Sequence, residues 1–122
     1  MKTARFLTLA TLLLLSVSCE KEEDLLIASA DIPDWLYEQI QEDKKIIEAD
    51  PKRMQNFGAW IRYEFNHAYY FEYDNPLSSL SRNPYSQAGI RIDVTQAPYI
   101  HYWSDKCCEQ YVWKAPKYLA LE

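Results

Sequence analysis

The residues best suited to chemistry lie in the stretch "SDKCCEQ", which places two cysteines side by side, Cys107 and Cys108. A cysteine acts as a nucleophile when a nearby base takes its proton and a third group orients that base. His101 could act as the base, and Asp93 or Asp105 could orient it. No flanking motif of a cysteine hydrolase accompanies these residues, so the sequence predicts no catalytic residue.

The two adjacent cysteines have three alternative states: free thiols, a disulfide between neighbours, or a bond to another chain. On a strand, neighbouring side chains point to opposite faces, which favours free thiols. A disulfide between neighbours closes a small, strained ring that is easily reduced, so it would serve as a redox switch or as a rigid ligand contact. No metal site is predicted, because Cys107, Cys108 and His101 give only three ligands and lack the spacing of zinc sites.

A carboxylate pair for glycoside hydrolysis could be formed by Glu64 and Glu72. The predicted hairpin places both on an exposed face beside positive and phenolic side chains, where a carboxyl group has no reason to stay protonated as a catalytic acid. With only two glycines, the chain has no Gly-rich phosphate loop, and no cofactor is expected.

Aromatic side chains indicate binding instead of catalysis. The chain has ten Tyr and four Trp, and a buried tyrosine needs a partner for its hydroxyl, so some are expected at the surface. The predicted strands place Tyr70 on the polar face of a hairpin, and Tyr99, His101 and Trp103 on one side of a later strand. These residues predict an exposed aromatic surface that binds a glycan or an envelope protein; the alternative is half-buried cover for a sheet.

A helix is predicted within "DIPDWLYEQIQEDKKIIEADP", residues 31–51. Pro33 suits the first turn, where a missing N–H costs nothing, and Pro51 ends the helix. Apolar residues recur along one face, at Leu36, Ile40 and Ile47, with Trp35 beside them. This stripe predicts that the helix packs one face against a core.

A β-hairpin is predicted in "WIRYEFNHAYYFEYD", residues 60–74. A three-residue turn at residues 66–68 sets Arg62 opposite Glu72. One face is then apolar and aromatic and the other polar with a cross-strand ion pair, whereas a two-residue turn would mix the faces. His67 is expected to be an exposed turn residue.

Three further strands are predicted from alternating side chains: "GIRIDV", "YIHYW" and "CCEQYVW", residues 89–94, 99–103 and 107–113. The preceding Pro- and Ser-rich segment is expected to be a loop. One helix and about five strands indicate an α+β domain, in which an N-terminal amphipathic helix packs on a small antiparallel meander. This single domain is expected to span residues 31–122.

The N-terminus has the pattern of a secretory signal peptide. Lys2 and Arg5 precede an apolar run of about ten residues, too short to span the roughly 30 Å hydrocarbon core of a bilayer. The "SVSC" that ends at Cys19 resembles the lipobox of bacterial lipoproteins, in which the cysteine is acylated and becomes the first mature residue. The resemblance implies a signal peptide of residues 1–18 and lipidation of Cys19; a signal peptide with a chance cysteine is the alternative.

Lipid chains on Cys19 would act as a membrane anchor, because each buried CH₂ contributes about 0.8 kcal/mol. The following "EKEED" resembles a signal that routes lipoproteins to the outer surface of some Gram-negative bacteria, which implies an outer-membrane location. A solvated linker is the alternative, and residues 19–30 are expected to form the tether. Without residues 1–18 the net charge is −7, so nucleic acid, which is bound through clustered Lys and Arg, is not an expected partner.

Two segments, "YYFEYDNPLSS" and "CCEQY", resemble those of small bacterial lipoproteins of uncharacterised function with a Tyr-rich hairpin and paired cysteines. The resemblance covers residues 35–111 and implies a tethered lipoprotein without an assigned activity. The sequence therefore predicts an exported, lipid-anchored binding module. The alternative is a thiol-dependent redox protein or hydrolase that uses Cys107 or Cys108 with His101.

Overall fold

The computed structural model describes residues 24–119, and the predicted signal peptide and Cys19 lie outside them. The described residues form two α-helices and four strands: α1 (Asp34–Ala49), β1 (Ala59–Phe65), β2 (Ala68–Asp74), β3 (Pro84–Ser86), α2 (Tyr102–Asp105) and β4 (Cys107–Lys114). The predicted α+β class is confirmed. Within residues 24–119, no helix has both the length and the apolar character needed to cross a membrane.

Helix α1 lies within the segment predicted to be helical. The carbonyl of Pro33 accepts the first hydrogen bonds, and the last turn ends before Pro51, which cannot donate to continue it. Leu36 and Ile40 are fully buried against the sheet. The apolar stripe of the sequence is therefore the face that packs on the core.

The strands pair in the order β3–β2–β1–β4, and every pair is antiparallel. The predicted meander was wrong, because β4 pairs with β1 instead of following β3 at the sheet edge. Helix α1 covers one face, where it packs against Trp60, Phe71, Val112 and Trp113. The segment that leads into α2 covers the other face near the hairpin end, where Ile92 and Tyr102 pack on Phe65 and Tyr70. The central strand β1 is therefore buried on both sides.

The hairpin register differs from the prediction. A two-residue turn joins β1 and β2, with Asn66 and His67 both at positive φ (51° and 64°), and Ile61 pairs with Glu72. Two positive φ values give a turn whose twist matches that of the flanking strands. The predicted opposition of Arg62 to Glu72 was wrong, because it assumed a solvent-exposed polar face and both faces are covered. His67 is exposed, as predicted.

Two predicted strands are not strands in the described chain. Residues 89–94 contribute a turn and one bridge between Arg91 and Tyr85, and residues 99–103 lie in a short 3-10 turn and the start of α2. Pro98 stands in the first turn of that 3-10 segment, where its fixed φ favours helical backbone. Conversely, β3 forms inside the predicted loop, so four strands replace the expected five.

Residues before α1 also belong to the fold. The N–H of Leu26 donates to the carbonyl of Val112 (2.9 Å), and Leu25 and Ile27 pack against the core under α1. Ordered structure thus begins before residue 31, inside the segment that was expected to be tether.

Candidate functional site

The structure does not place Tyr99, His101 and Trp103 on one strand, and it buries Tyr70. Tyr70 is buried and packs on Tyr102, and Tyr99 is half-buried at the edge of the same cluster. His101 and Trp103 are exposed on the helical segment that replaced the predicted strand. Alternation places side chains on one face only along a strand, so the predicted strand face and the exposure of Tyr70 were wrong, while His101 and Trp103 are exposed as expected.

The two sulfur atoms of Cys107 and Cys108 are bonded to each other at the exposed start of β4. The chain bulges here, because the pairing of β1 with β4 shifts between Arg62 and Glu64. Cys108 has a φ of 67°, a backbone conformation that residues other than glycine seldom adopt. A local bulge therefore accommodates the bond between neighbours.

His101 does not join this cysteine pair. Three possible metal ligands lie together here among the described residues: Glu64, Cys107 and Cys108. Their ligand atoms are all within 4.8 Å of one another. A bonded sulfur pair does not offer the thiolates that metals require, and no histidine completes the group. This geometry supports neither a metal centre nor a Cys–His couple at this site.

A polar cluster is buried on the sheet face opposite α1, centred on Glu72, which is 0% exposed. Tyr102 Oη donates to Glu72 Oε2 (2.6 Å) and Lys106 Nζ to the same oxygen (2.7 Å). Arg82 Nη2 lies 2.9 Å from Glu72 Oε1. Sequence reasoning placed Glu72 on an exposed face, which was wrong because of the register.

Tyrosines extend this cluster along the sheet. Tyr63 Oη donates to Glu109 (2.8 Å) and accepts from Arg82 (3.1 Å), and burial, followed by the bond to Glu109, raises the pKa of Tyr63 to about 12. Tyr118 Oη donates to Asp74 (2.6 Å). Burial lowers the pKa of Lys106, against the opposing effect of Glu72.

The Glu72 cluster is a closed network of ion pairs and hydrogen bonds. Its carboxylate is closed to solvent and lies against two cations and a phenol, so a substrate has no access to it, although Oε1 makes only the ion-pair contact with Arg82. A buried charge whose partners are protein groups is typical of a structural ion-pair network. We therefore place the candidate site elsewhere.

An aromatic pocket on the α1 side of the sheet has a volume of about 420 Å³, within the range of small-molecule sites. Four aromatic side chains line it together with three polar ones and one glycine: Trp35, Trp60, Tyr73, Tyr85, Gln39, Asp43, Gln55 and Gly89. We call it the aromatic pocket below.

The elements that build the aromatic pocket are adjacent in the fold. Trp35, Gln39 and Asp43 follow one another at four-residue spacing, so they form a single stripe along α1. Trp60 and Tyr73 are directly opposed on β1 and β2. The pocket thus lies between one helix and two strands of the folded core.

The two glycines of the chain each stand behind one wall of the aromatic pocket. A Cβ at Gly58 would lie 2.0 Å from the Tyr73 hydroxyl oxygen, and a Cβ at Gly89 would lie 3.1 Å from the Trp35 ring. Gly89 also has a φ of 82°, which other residues rarely adopt. Both positions therefore need glycine for the aromatic walls to take their places.

Two polar groups in the aromatic pocket are incompletely satisfied. Asp43 is only 5% exposed and accepts one hydrogen bond, from Gln39 Nε2 (3.0 Å). The buried indole N–H of Trp60 lies beside the Asp43 carboxylate and lowers its pKa as a donor, but no hydrogen bond of normal geometry joins the two groups. Burial outweighs this effect and that of Gln39, so the pKa of Asp43 is raised.

Sequence reasoning missed the aromatic pocket, yet one signal for it was visible. Trp35 was interpreted as core, and it does pack beside the core residues, but Gln39 and Asp43 continue its line along α1. A polar stripe that starts at a tryptophan and borders an apolar stripe indicates a helix edge that faces a cleft.

Comparisons with known proteins supply no likeness: no family model, curated protein sequence or solved structure matches the chain.

Proposed function

We propose that the protein is an exported, lipid-anchored envelope lipoprotein whose folded domain binds a small ligand in the aromatic pocket. The location rests on the lipobox-like sequence that ends at Cys19. The binding function is a non-catalytic one, because the polar groups of the pocket hold and orient a ligand without forming a nucleophile–base pair.

One observation carries the proposal: the aromatic pocket holds the buried indole N–H of Trp60 without a hydrogen bond of normal geometry, beside the Asp43 carboxylate, which accepts one from Gln39. Leaving such groups unpaired costs stability; an acceptor on a ligand would satisfy the Trp60 N–H, and a donor or a cation on the same ligand would pair with Asp43. The aromatic walls supply the apolar area that small-molecule sites use for affinity.

Calorimetric titration of the chain from residue 20, which keeps every described residue, tests the proposal. The compounds are a panel of monosaccharides, amino acids and small organic cations. At least one compound should bind, and Tyr85→Ala, which removes a wall of the pocket, should abolish that binding. Trp103→Ala, which removes an exposed aromatic ring outside the pocket, is the matched control and should bind like the wild type. Absence of binding by the whole panel, or equal binding by Tyr85→Ala, would overturn the proposal.

A further inference from the structure

We infer that the ligand of the aromatic pocket carries a compact organic cation, a methylated or quaternary ammonium group. This inference rests on the proposed function and adds the chemical class of the ligand. It follows from the charge of the lining, the orientation of the rings and the missing partner of Asp43.

The charge of the lining favours a cation. Among the described residues that line the aromatic pocket, Asp43 is the one that carries a formal charge, and it is negative. Lys44, the next residue along α1, forms its ion pair with Asp24 instead (Nζ to Oδ2, 2.5 Å). A buried carboxylate is normally paired with a cation, and here the described chain provides none.

The rings that line the pocket are inclined to one another instead of forming one flat platform. Trp35 and Trp60 are inclined at 78°, Trp60 and Tyr85 at 63°, and Trp60 and Tyr73 at 53°. A flat sugar ring stacks best on one extended aromatic face, which this arrangement does not offer. A compact cation is attracted to the electron-rich faces of several rings at once, and trimethylammonium groups are bound in such aromatic cages.

The walls are also fixed before a ligand arrives. Tyr73 is held against Gly58, and Trp35 against Gly89, where its indole N–H donates to the carbonyl of Gln87 (3.0 Å). A cage that keeps its shape loses little entropy on binding.

Matched ligands provide the test. Choline and its neutral isostere 3,3-dimethylbutan-1-ol, which have the same branched head, are titrated into the chain from residue 20. Choline should bind at least about tenfold more tightly than the isostere, because only the charged head gains from the rings and the carboxylate. Equal affinities for the two compounds would overturn the inference.

Variants test the role of the carboxylate. Asp43→Asn should weaken choline binding about tenfold, the loss expected for a charge contact of this kind. Glu38→Gln, an exposed residue on the same helix, removes the same charge outside the pocket and should leave the affinity unchanged. Circular dichroism shows that each variant is folded, and the ligand comparison above does not depend on any variant.

A parallel vesicle-binding experiment shows whether the ammonium group belongs to a lipid headgroup or to a soluble ligand. Binding to phosphatidylcholine vesicles that free choline displaces identifies a lipid headgroup, and choline binding without vesicle binding identifies a soluble ligand; both support the inference. If a sugar or an amino acid binds and choline does not, the inference fails while the proposed function stands. If no compound binds, both fail.

Discussion

Asp43 is a buried acid that has no cation beside it among the described residues. Its carboxylate is buried, has one hydrogen bond from Gln39 and faces the unpartnered N–H of Trp60. Burial of a charge without a cation opposes folding. Residues that lower stability while facing a cavity are common in ligand sites, where the ligand provides the missing contact.

The substitution Asp43→Asn is expected to raise the melting temperature at pH 7. Burial raises the pKa of Asp43 in the folded state above its ordinary value of 3.8. The unfolded chain therefore loses its proton at a lower pH than the folded protein, and the stability of the wild type falls as the pH rises from about 3.8 through the pKa of the folded state. The asparagine variant does not titrate, and its advantage should therefore shrink as the pH is lowered toward 4. Thermal unfolding followed by circular dichroism between about pH 4 and 7 measures this, with Glu38→Gln as the control. A variant that is less stable than the wild type at pH 7 would contradict the account.

The substitution Gly58→Ala is expected to destabilise the fold by about 1–3 kcal/mol, the usual effect of overpacking. The added Cβ would overlap the Tyr73 ring, whose hydroxyl oxygen lies 2.0 Å away. Removing that ring should relieve the clash, so Gly58→Ala should cost much less in a Tyr73→Ala background. A double-mutant cycle by urea unfolding gives the coupling, and additive effects of the two substitutions would show that the close approach is unimportant.

Among the elements, the Glu72 cluster joins parts of the chain that no strand pairing connects. Glu72 stands on β2, Arg82 in the loop before β3, and Lys106 in the turn before β4. The loop and the turn are irregular segments, and these ion pairs hold both of them against the sheet. The cluster stabilises the face opposite the aromatic pocket.

The substitution Glu72→Gln is expected to lower the free energy of unfolding by about 3 kcal/mol, because it leaves two cations partly buried without their carboxylate. Glu64→Gln is the matched control: Glu64 is half-buried on β1, and its side chain makes no hydrogen bond or ion pair to the described residues. It should change stability by less than about 0.5 kcal/mol. Chemical denaturation measures both variants, and similar losses for the two would contradict the assigned role.

Replacing Cys107 and Cys108 distinguishes the proposed binding function from the alternative of a thiol-dependent redox protein or hydrolase. Neither cysteine lines the aromatic pocket, so replacing both with serine should leave ligand affinity unchanged. A calorimetric titration of the double variant measures this. Loss of binding in a variant that is still folded would favour a function that depends on the cysteines.

Local patterns predicted the elements that depend on local physics. The α1 stripe and its flanking prolines were sufficient to place the helix, and alternation placed β4. The predicted hairpin register was wrong for two reasons. The twist of the strands favours a two-residue turn, at Asn66 and His67, which side-chain alternation does not reveal. Both faces of the hairpin are also covered by other segments, so neither face has to be polar. The aromatic pocket joins α1, β1 and β2 across distant parts of the sequence, which no single stretch reveals.

For the whole molecule, the proposed anchor determines where the aromatic pocket works. Structure is described from Asp24 onward, and the five steps from Cys19 to it reach at most about 18 Å. A lipid on Cys19 would therefore keep the domain next to the membrane surface. The acidic balance of the chain, −7 without residues 1–18, suits a cationic ligand in this position.

The substitution Cys19→Ser is expected to move the protein from the membrane fraction to the soluble fraction, because it removes the attachment point of the lipid. Immunoblotting of fractionated cells measures the distribution. Cys107→Ser, which leaves the lipobox intact, is the control and should stay in the membrane fraction. Retention of the Cys19→Ser protein in the membrane fraction would contradict lipid anchoring.

The central claim is that a ligand occupies the aromatic pocket beside Trp60, and the indole N–H signals of the four tryptophans test it most directly. Each signal is assigned by a Trp→Phe variant in ¹H–¹⁵N NMR spectra of the chain from residue 20. On addition of choline, the Trp60 signal should shift as its N–H gains a new environment, and the Trp103 signal should stay in place. Shifts confined to Trp103, or none at any tryptophan with this or any other compound of the panel, would contradict the account.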